Sequence, residues 1–234
     1  MKVKSENMRL GKAVIEIRYP EAFKLPTSDV KYKIVEKLVH KKYPNYNIEQ
    51  PENLSFLNPE KQLQFHVGIN RMLIDWDNPS DLSEFVKMII PDVNFILKEI
   101  NVHQVDRVGF RNFYLAPFSS QQEVSNVLFE NFISSNLKQP TFADSYFNPQ
   151  VGFSGKKGKV NFNFNLRYQQ EQVIQGSNNT LLQTTINDYL VTDFDCYQEN
   201  VKTTRLETFF THSKDMNNNL NEYINTVQKD DVYA

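Results

Sequence analysis

Residues 160–168 alternate without a break. Val160, Phe162, Phe164, Leu166 and Tyr168 fall on one side, and Asn161, Asn163, Asn165 and Arg167 on the other. Successive side chains of a strand point to opposite faces, so this segment calls for a sheet with one dry face and one wet face. The rest of the chain can supply the dry side. Of 234 residues, 40% are hydrophobic and 13% aromatic, including 18 Phe and 11 Tyr, which is enough to bury a substantial core. The wet side draws on 26 Asn, and net charge is only −2, so the exterior is polar and weakly charged. Such a surface favours specific contacts over bulk electrostatic attraction, and binding to nucleic acid through total charge is disfavoured.

Other segments place further elements. Ala13 to Tyr19 alternates as a strand, and Ser28 precedes a helical stripe of Val30, Ile34, Val35, Leu38 and Val39 that Pro44 stops. A short strand is expected near Leu54 to Leu57. A strand pair follows over residues 62–77, turning near Asn70-Arg71 and ending in Asp75-Trp76-Asp77. Asp81, with Glu84 three residues on, opens a helix whose stripe runs from Phe85 to Ile100. Pro91 is expected to kink or restart that helix. The pattern then begins again. Val105 to Leu115 reads as a strand ended by Pro117, and Ser119 or Ser120 starts a helix with Val124, Val127, Leu128, Phe132 and Ile133 inward. Residues 138–158 look irregular, with Lys156-Lys157-Gly158-Lys159 as a basic hairpin tip. After the strand at 160–168 come a turn at Gly176 to Asn179, a long strand from Leu181 ending in Asp193-Phe194-Asp195, and a last helix from about Thr204 to Val227.

The expected fold is therefore α+β. It has two similar strand–helix–strand–strand–helix halves, residues 1–102 and 103–234, forming antiparallel or mixed sheets with helices packed on one face of one integrated domain. In this alignment Asp75-Trp76-Asp77 matches Asp193-Phe194-Asp195, as an internal duplication would give. Two such halves can join edge to edge, which removes one exposed edge from each, and the cleft between them is the default ligand or partner site.

Four segments together carry a resemblance. They are Glu16-Ile17-Arg18-Tyr19-Pro20, Arg107-Val108-Gly109-Phe110-Arg111-Asn112, Asp193-Phe194-Asp195 and the helical tail from Leu206. In these the chain resembles a sporadically distributed, largely uncharacterised prokaryotic family of about this length, although Asn112-Phe113 stands where that family has an aromatic residue and then Asn. The resemblance implies no established activity. It does imply a link to mobile-element or phage-defence loci.

The chemistry-bearing patterns are few. Cys196 is the one cysteine, so an intrachain disulfide and a Cys-rich zinc site are ruled out, and its position at the end of an apolar run suits a small core residue. With 7 Gly and no G-x-G-x-x-G, Walker A or G-x-S-x-G, nothing supports Rossmann cofactor binding, P-loop hydrolysis or a serine-hydrolase elbow. His40, His66, His103 and His212 are scattered and show no zinc spacing. Residues i and i+2 of a strand share a face, so Asp75 with Asp77, and Asp193 with Asp195, each present two carboxylates together. Such pairs suit a divalent metal with a phosphate substrate, or a partner's Arg or Lys, or simply water. Arg107 and Arg111 lie among Phe110, Phe113 and Tyr114, and Arg167 lies among Phe162, Phe164 and Tyr168. Those strands could stack bases, or could tie Arg111 to Asp193 and Arg107 to Asp195.

The reading these patterns support is a non-enzymatic binding or accessory subunit that acts through protein–protein contacts in a prokaryotic defence or toxin–antitoxin assembly. Its partner would be another protein, such as a genomic neighbour, or a second copy. Arg107, Arg111, Asp193, Asp195, Asp75, Asp77 and Arg167 are the candidate binding residues, with no cofactor and no metal expected. Alternatives are a small-molecule or nucleotide sensor with its ligand between the halves, and a phosphoryl-transfer enzyme using the Asp pairs. The polar, basic stretch Met1 to Lys12 lacks the apolar core of a signal sequence and no apolar run is long enough to span a bilayer, so a cytoplasmic protein is expected.

Overall fold

The computed structural model describes residues 8–39, 42–48, 50–133, 149–175 and 183–227. In chain order the elements are β1 (Arg9–Arg18), α1 (Ser28–Val39), β2 (Asn45–Asn47), β3 (Asn53–Asn58), β4 (Leu63–Gly68), β5 (Arg71–Asp77), α2 (Leu82–Glu99) and β6 (Gln104–Phe118). They continue with α3 (Gln121–Phe132), β7 (Gln150–Lys157), β8 (Val160–Gln175), β9 (Gln183–Lys202), a single 3-10 turn at Thr203–Arg205 and α4 (Leu206–Val227). The nine strands form one sheet in the order β2-β3-β4-β5-β1-β6-β9-β8-β7, and every neighbouring pair is antiparallel.

Strand alternation decides which side each residue takes. Ala13, Ile15 and Ile17 of β1, Ile74 and Trp76 of β5, Val108 and Phe110 of β6, Phe164 and Leu166 of β8, and Phe194 and Cys196 of β9 all turn to one face. They share a single buried core with Ile34 and Leu38 of α1, Phe85, Ile89 and Val93 of α2, Val124, Val127 and Leu128 of α3, and Phe209 and Phe210 of α4. The helices therefore cover one face. No helix among the described residues is long and apolar enough to cross a membrane.

The two halves meet in the middle of the sheet. β1 pairs with β6, with Ile15 opposite Phe110 and Arg18 opposite Arg107. The strand order β3-β4-β5-β1 in one half corresponds to β7-β8-β9-β6 in the other, with β2 as an addition to the first. The seam continues into the core, where the Phe110 ring packs on Phe85 at 6.1 Å and on Phe210 at 5.7 Å between centroids. Such tilted and edge-on aromatic contacts are favourable geometries.

Local chemistry sets the boundaries. The Asp81 carboxylate accepts from the backbone N–H groups of Ser83 and Glu84, and the Ser120 hydroxyl accepts from Glu123 N–H, so both helices begin on side-chain caps. The Glu84 carboxylate instead accepts from the Ser80 hydroxyl. At the end of α2, Asn101 takes a left-handed φ of 62°. The Val102 N–H then reaches Leu97 O at 2.8 Å, and the Asn101 N–H reaches Lys98 O at 3.1 Å. This closing motif usually uses glycine.

Three expectations are corrected and one is narrowed: α2 runs through Pro91 as a single helix, so the restart does not occur. Beside it, the Lys42 ammonium donates to Met88 O at 2.7 Å and to the Asp92 carboxylate at 2.8 Å, which ties the segment after α1 to the helix next to the proline. β6 continues one residue past Pro117 to Phe118. Residues 150–157, inside a stretch that looked irregular, are strand β7, paired along its length with β8. Its glycines and lysines hide the alternation, and the partner strand fixes it. Asp193 and Asp195 do not end a strand either, because β9 runs seven residues beyond Asp195, to Lys202. The turn at residues 176–179 and His40 lie outside the described residues.

Candidate functional site

The second face of the sheet carries the other half of each alternation. Neighbouring strands bring its side chains into rows. One row runs Gln64, Asp75, Val14, Arg111, Asp195, Asn163, Ser154, and the next runs Asp77, Lys12, Phe113, Asp193, Asn165, Gly152. A third contains Ser55, His66, Leu73, Glu16, Gly109, Tyr197, Asn161 and Lys156. A fourth contains Arg71, Arg18, Arg107 and Glu199. All seven residues singled out in the sequence lie on this face. Arg167 sits two positions along β8 from Asn165, opposite Val191, and makes no ion pair among the described residues.

The remaining six gather into two groups. In the first half, Lys12 of β1 reaches Asp75 at 3.2 Å and Asp77 at 3.1 Å. Burial pulls the Lys12 ammonium towards a lower pKa, but the two carboxylates outweigh it and leave the group raised. In the second half, Arg111 of β6 grips Asp193 of β9 with two parallel bonds, Nε to Oδ1 at 2.8 Å and Nη2 to Oδ2 at 2.6 Å. This forked geometry is the strong form of a guanidinium–carboxylate contact. The Asp193 side chain is 5% exposed and the Arg111 side chain 48%, so the pair is anchored below and open above.

The two groups occupy corresponding places. Lys12 stands opposite Asp77 with Val14 opposite Asp75, while Arg111 stands opposite Asp195 with Phe113 opposite Asp193. Each half thus sets one cation of its first strand beside a D-x-D pair on the neighbouring strand. The acidic pairs are visible in the sequence. Lys12 is not, because only strand pairing shows that it faces Asp75 and Asp77.

Arg107 links the second group to the seam. It reaches Glu16 of β1 at 3.1 Å and Asp195 at 3.4 Å, and its guanidinium lies 4.7 Å from the centre of the Tyr197 ring. Gly109 makes this possible. A Cβ there would lie 3.8 Å from Asp195 Oδ1 and 3.9 Å from Arg107 Nη2, so a methyl fits but a longer side chain would part the pair. Glu16, Gly109 and Tyr197 are the partners that sequence reasoning missed as site residues.

Asp195 is the electrostatically uneasy member. Burial pushes its carboxyl above the usual range, and the Asp193 carboxylate adds to the rise. Arg107, Arg111 and a hydrogen bond from Asn163 pull it back without cancelling the burial cost. Ser154 donates to Asn163 Oδ1 at 2.7 Å, so Ser154, Asn163 and Asp195 form a hydrogen-bonded row across three strands. Arg111, Gly152, Ser154, Asn163, Asn165, Asp193 and Asp195 surround an open polar hollow of about 650 Å³. Gly152 holds it open, since a Cβ there would come within 2.4 Å of Asn165 Oδ1.

Other candidates resolve differently. Cys196 is fully buried on the helix side and burial pushes its thiol up to about 12, so it is a core residue and no nucleophile. His66 Nδ1 lies 2.9 Å from Ser55 Oγ, a cross-strand pair on the polar face. The halves join through the β1–β6 pairing into one continuous sheet, and the space between them lies on the helix side, a hollow of about 440 Å³ between α2 and α4. Among the described residues, no group of three or more His, Cys, Asp or Glu side chains is placed to hold a metal ion. No protein-family model matches the chain, and no curated protein does.

Proposed function

We propose that this chain is a non-catalytic binding subunit that docks a partner protein on the open face of its sheet, centred on Arg111, Asp193, Asp195 and Asn163. One observation carries the reading. The described helices cover one face only, and the other bears a fixed pattern of charges and amides around a hollow of about 650 Å³. Half of the Arg111 side chain remains available above its carboxylate, so a partner's acidic or carbonyl group can complete its coordination. The Asp195 carboxylate is held at a cost that a partner's cation would relieve. Preorganised charges of this kind give specificity more than raw affinity. The acidic pairs suit this role better than metal binding, because each already holds a side-chain cation that a metal ion would have to displace.

In the setting that the family resemblance implies, a prokaryotic defence locus, the partner is the product of an adjacent gene. The test is affinity capture of the tagged full chain expressed together with its chromosomal neighbours. We expect a stoichiometric partner that survives with the wild type and is lost with Asn163→Arg or Arg167→Glu, two changes on the open face. Retention of every partner by both variants would show that this face is not the docking surface.

A further inference from the structure

On the opposite side of the molecule, the basic hairpin tip has a structural role that the open-face reading does not use. Gly158, with φ 62°, makes the tight turn between β7 and β8. The turn carries Lys157 and Lys159 over the start of α4. Helical spacing puts Arg205, Thr208, Phe209, His212, Asp215 and Met216 on one face of the 3-10 turn and the helix that follows it. Between hairpin and helix lies a pocket of about 510 Å³, closed at its base by Val160, Phe209 and Met216 and flanked by Gln198 of β9. This volume lies in the range of small-molecule sites, roughly 300–1,000 Å³.

The charge pattern is one-sided. Lys157, Lys159 and Arg205 line the pocket, are exposed, and make no ion pair among the described residues. The only carboxylate in the lining is Asp215. Lys12, Lys42, Arg107 and Arg111 are each tied to a carboxylate, whereas the three cations here converge on one concavity with their charges uncommitted among the described residues. The walls hold cations, the base is apolar, and Thr208 and Gln198 offer neutral hydrogen-bonding groups. A ligand that matches all three carries phosphates at one end and a flat, weakly polar ring at the other.

We propose that the pocket between the β7–β8 hairpin and α4 binds a nucleotide, with its phosphates held by Lys157, Lys159 and Arg205 and its base seated on Val160, Phe209 and Met216. The cations act as point charges and a planar fork on phosphate oxygens. The site lies in the second half alone and does not depend on the open sheet face.

Calorimetric titration of the full chain with ATP, adenosine and inorganic tripolyphosphate tests the proposal. ATP is expected to bind and to raise the melting temperature, with binding weakening as salt rises. Tripolyphosphate is expected to bind more weakly than ATP, and adenosine more weakly still. The exposed double change Lys157→Ala with Arg205→Ala is expected to weaken ATP by about tenfold or more, and Thr208→Trp, which fills the pocket without removing charge, by a similar factor. Arg167→Glu on the other face should leave ATP affinity unchanged. Absence of ATP binding overturns the proposal. So does tripolyphosphate binding as tightly as ATP, or full retention of ATP affinity by the double variant and by Thr208→Trp.

Discussion

At the scale of single residues, burial decides which charges are assets. Asp193 is almost fully buried and depends on Arg111 for both of its oxygens. Removing the guanidinium strands a buried carboxylate, so Arg111→Ala should cost roughly 1–3 kcal/mol in chemical denaturation. Asp195 has the opposite sign. Its folded carboxyl is raised from an ordinary 3.8, so the folded state holds the proton more tightly than the unfolded chain does. The stability tied to that proton is complete below about pH 4 and is lost as the pH rises through the raised folded value. Asp195→Asn imitates the protonated form. Its melting temperature at pH 7 should exceed that of the wild type, and the fall from acid to neutral pH should be shallower; a lower value at pH 7 would contradict this account. The scarcity of glycine also has a local consequence. Asn78, Asn101 and Asn200 occupy left-handed positions. Asn tolerates that region better than other residues with a Cβ, so Asn101→Ala should lose about 1 kcal/mol and Asn101→Gly should lose nothing.

At the scale of elements, the strand pattern was legible and its interruptions were not. The alternation of β8 gives both faces correctly from the sequence, because period two survives whatever the strand pairs with. β7 escaped because its run of Gly152, Ser154, Gly155, Lys156 and Lys157 has little apolar contrast, and its identity comes from pairing with β8. In α2, Pro91 leaves a kink or a restart open along the chain, and the restart does not occur: Ile89, Ile90 and Val93 are buried around it, and Lys42 donates to Met88 O and Asp92 beside it. Asp92 is itself buried and raised by burial, with Lys42 opposing. Lys42→Ala should therefore destabilise by about 3 kcal/mol, the cost of leaving a buried charge without its partner. Equilibrium urea unfolding would measure it, and a loss under 1 kcal/mol, the range of an exposed pair, would mean that Lys42 does not sustain the helix.

At the scale of the whole molecule, the two halves share one sheet and one core. β1 and β6 are central strands of one sheet, and Phe110 from the second half sits between Phe85 of the first and Phe210 of the last helix. Residues 1–102 alone would expose the paired edge of β1 and the core behind it, an aggregation-prone edge. That fragment is expected to be unfolded or aggregated by circular dichroism and light scattering, and co-expression with residues 103–234 should restore the native spectrum. An independently folded first half would show that the seam is dispensable. The same seam explains the open face. Nine strands joined edge to edge make a surface wide enough to hold two cation–carboxylate groups, which neither half would hold alone.

The order of residues along the chain already contains the α+β class, most of the strands and helices, and which residues of each strand share a face. These follow from periodicity and capping, which are properties of neighbouring residues. It also brought Asp193 next to Asp195 and made their ties to Arg111 and Arg107 chemically plausible. Strand pairing and packing establish that Lys12 answers Asp75 and Asp77 as Arg111 answers Asp193, that Gly109 clears the path of Arg107, and that Lys157 and Arg205 flank one pocket. The reason is physical: cross-strand partners are chosen by register between segments tens of residues apart, and a one-residue slip would reverse every face. No local pattern carries that information; it resides in the pairing of the strands and in the core they share, where Phe110 packs on Phe85 and Phe210.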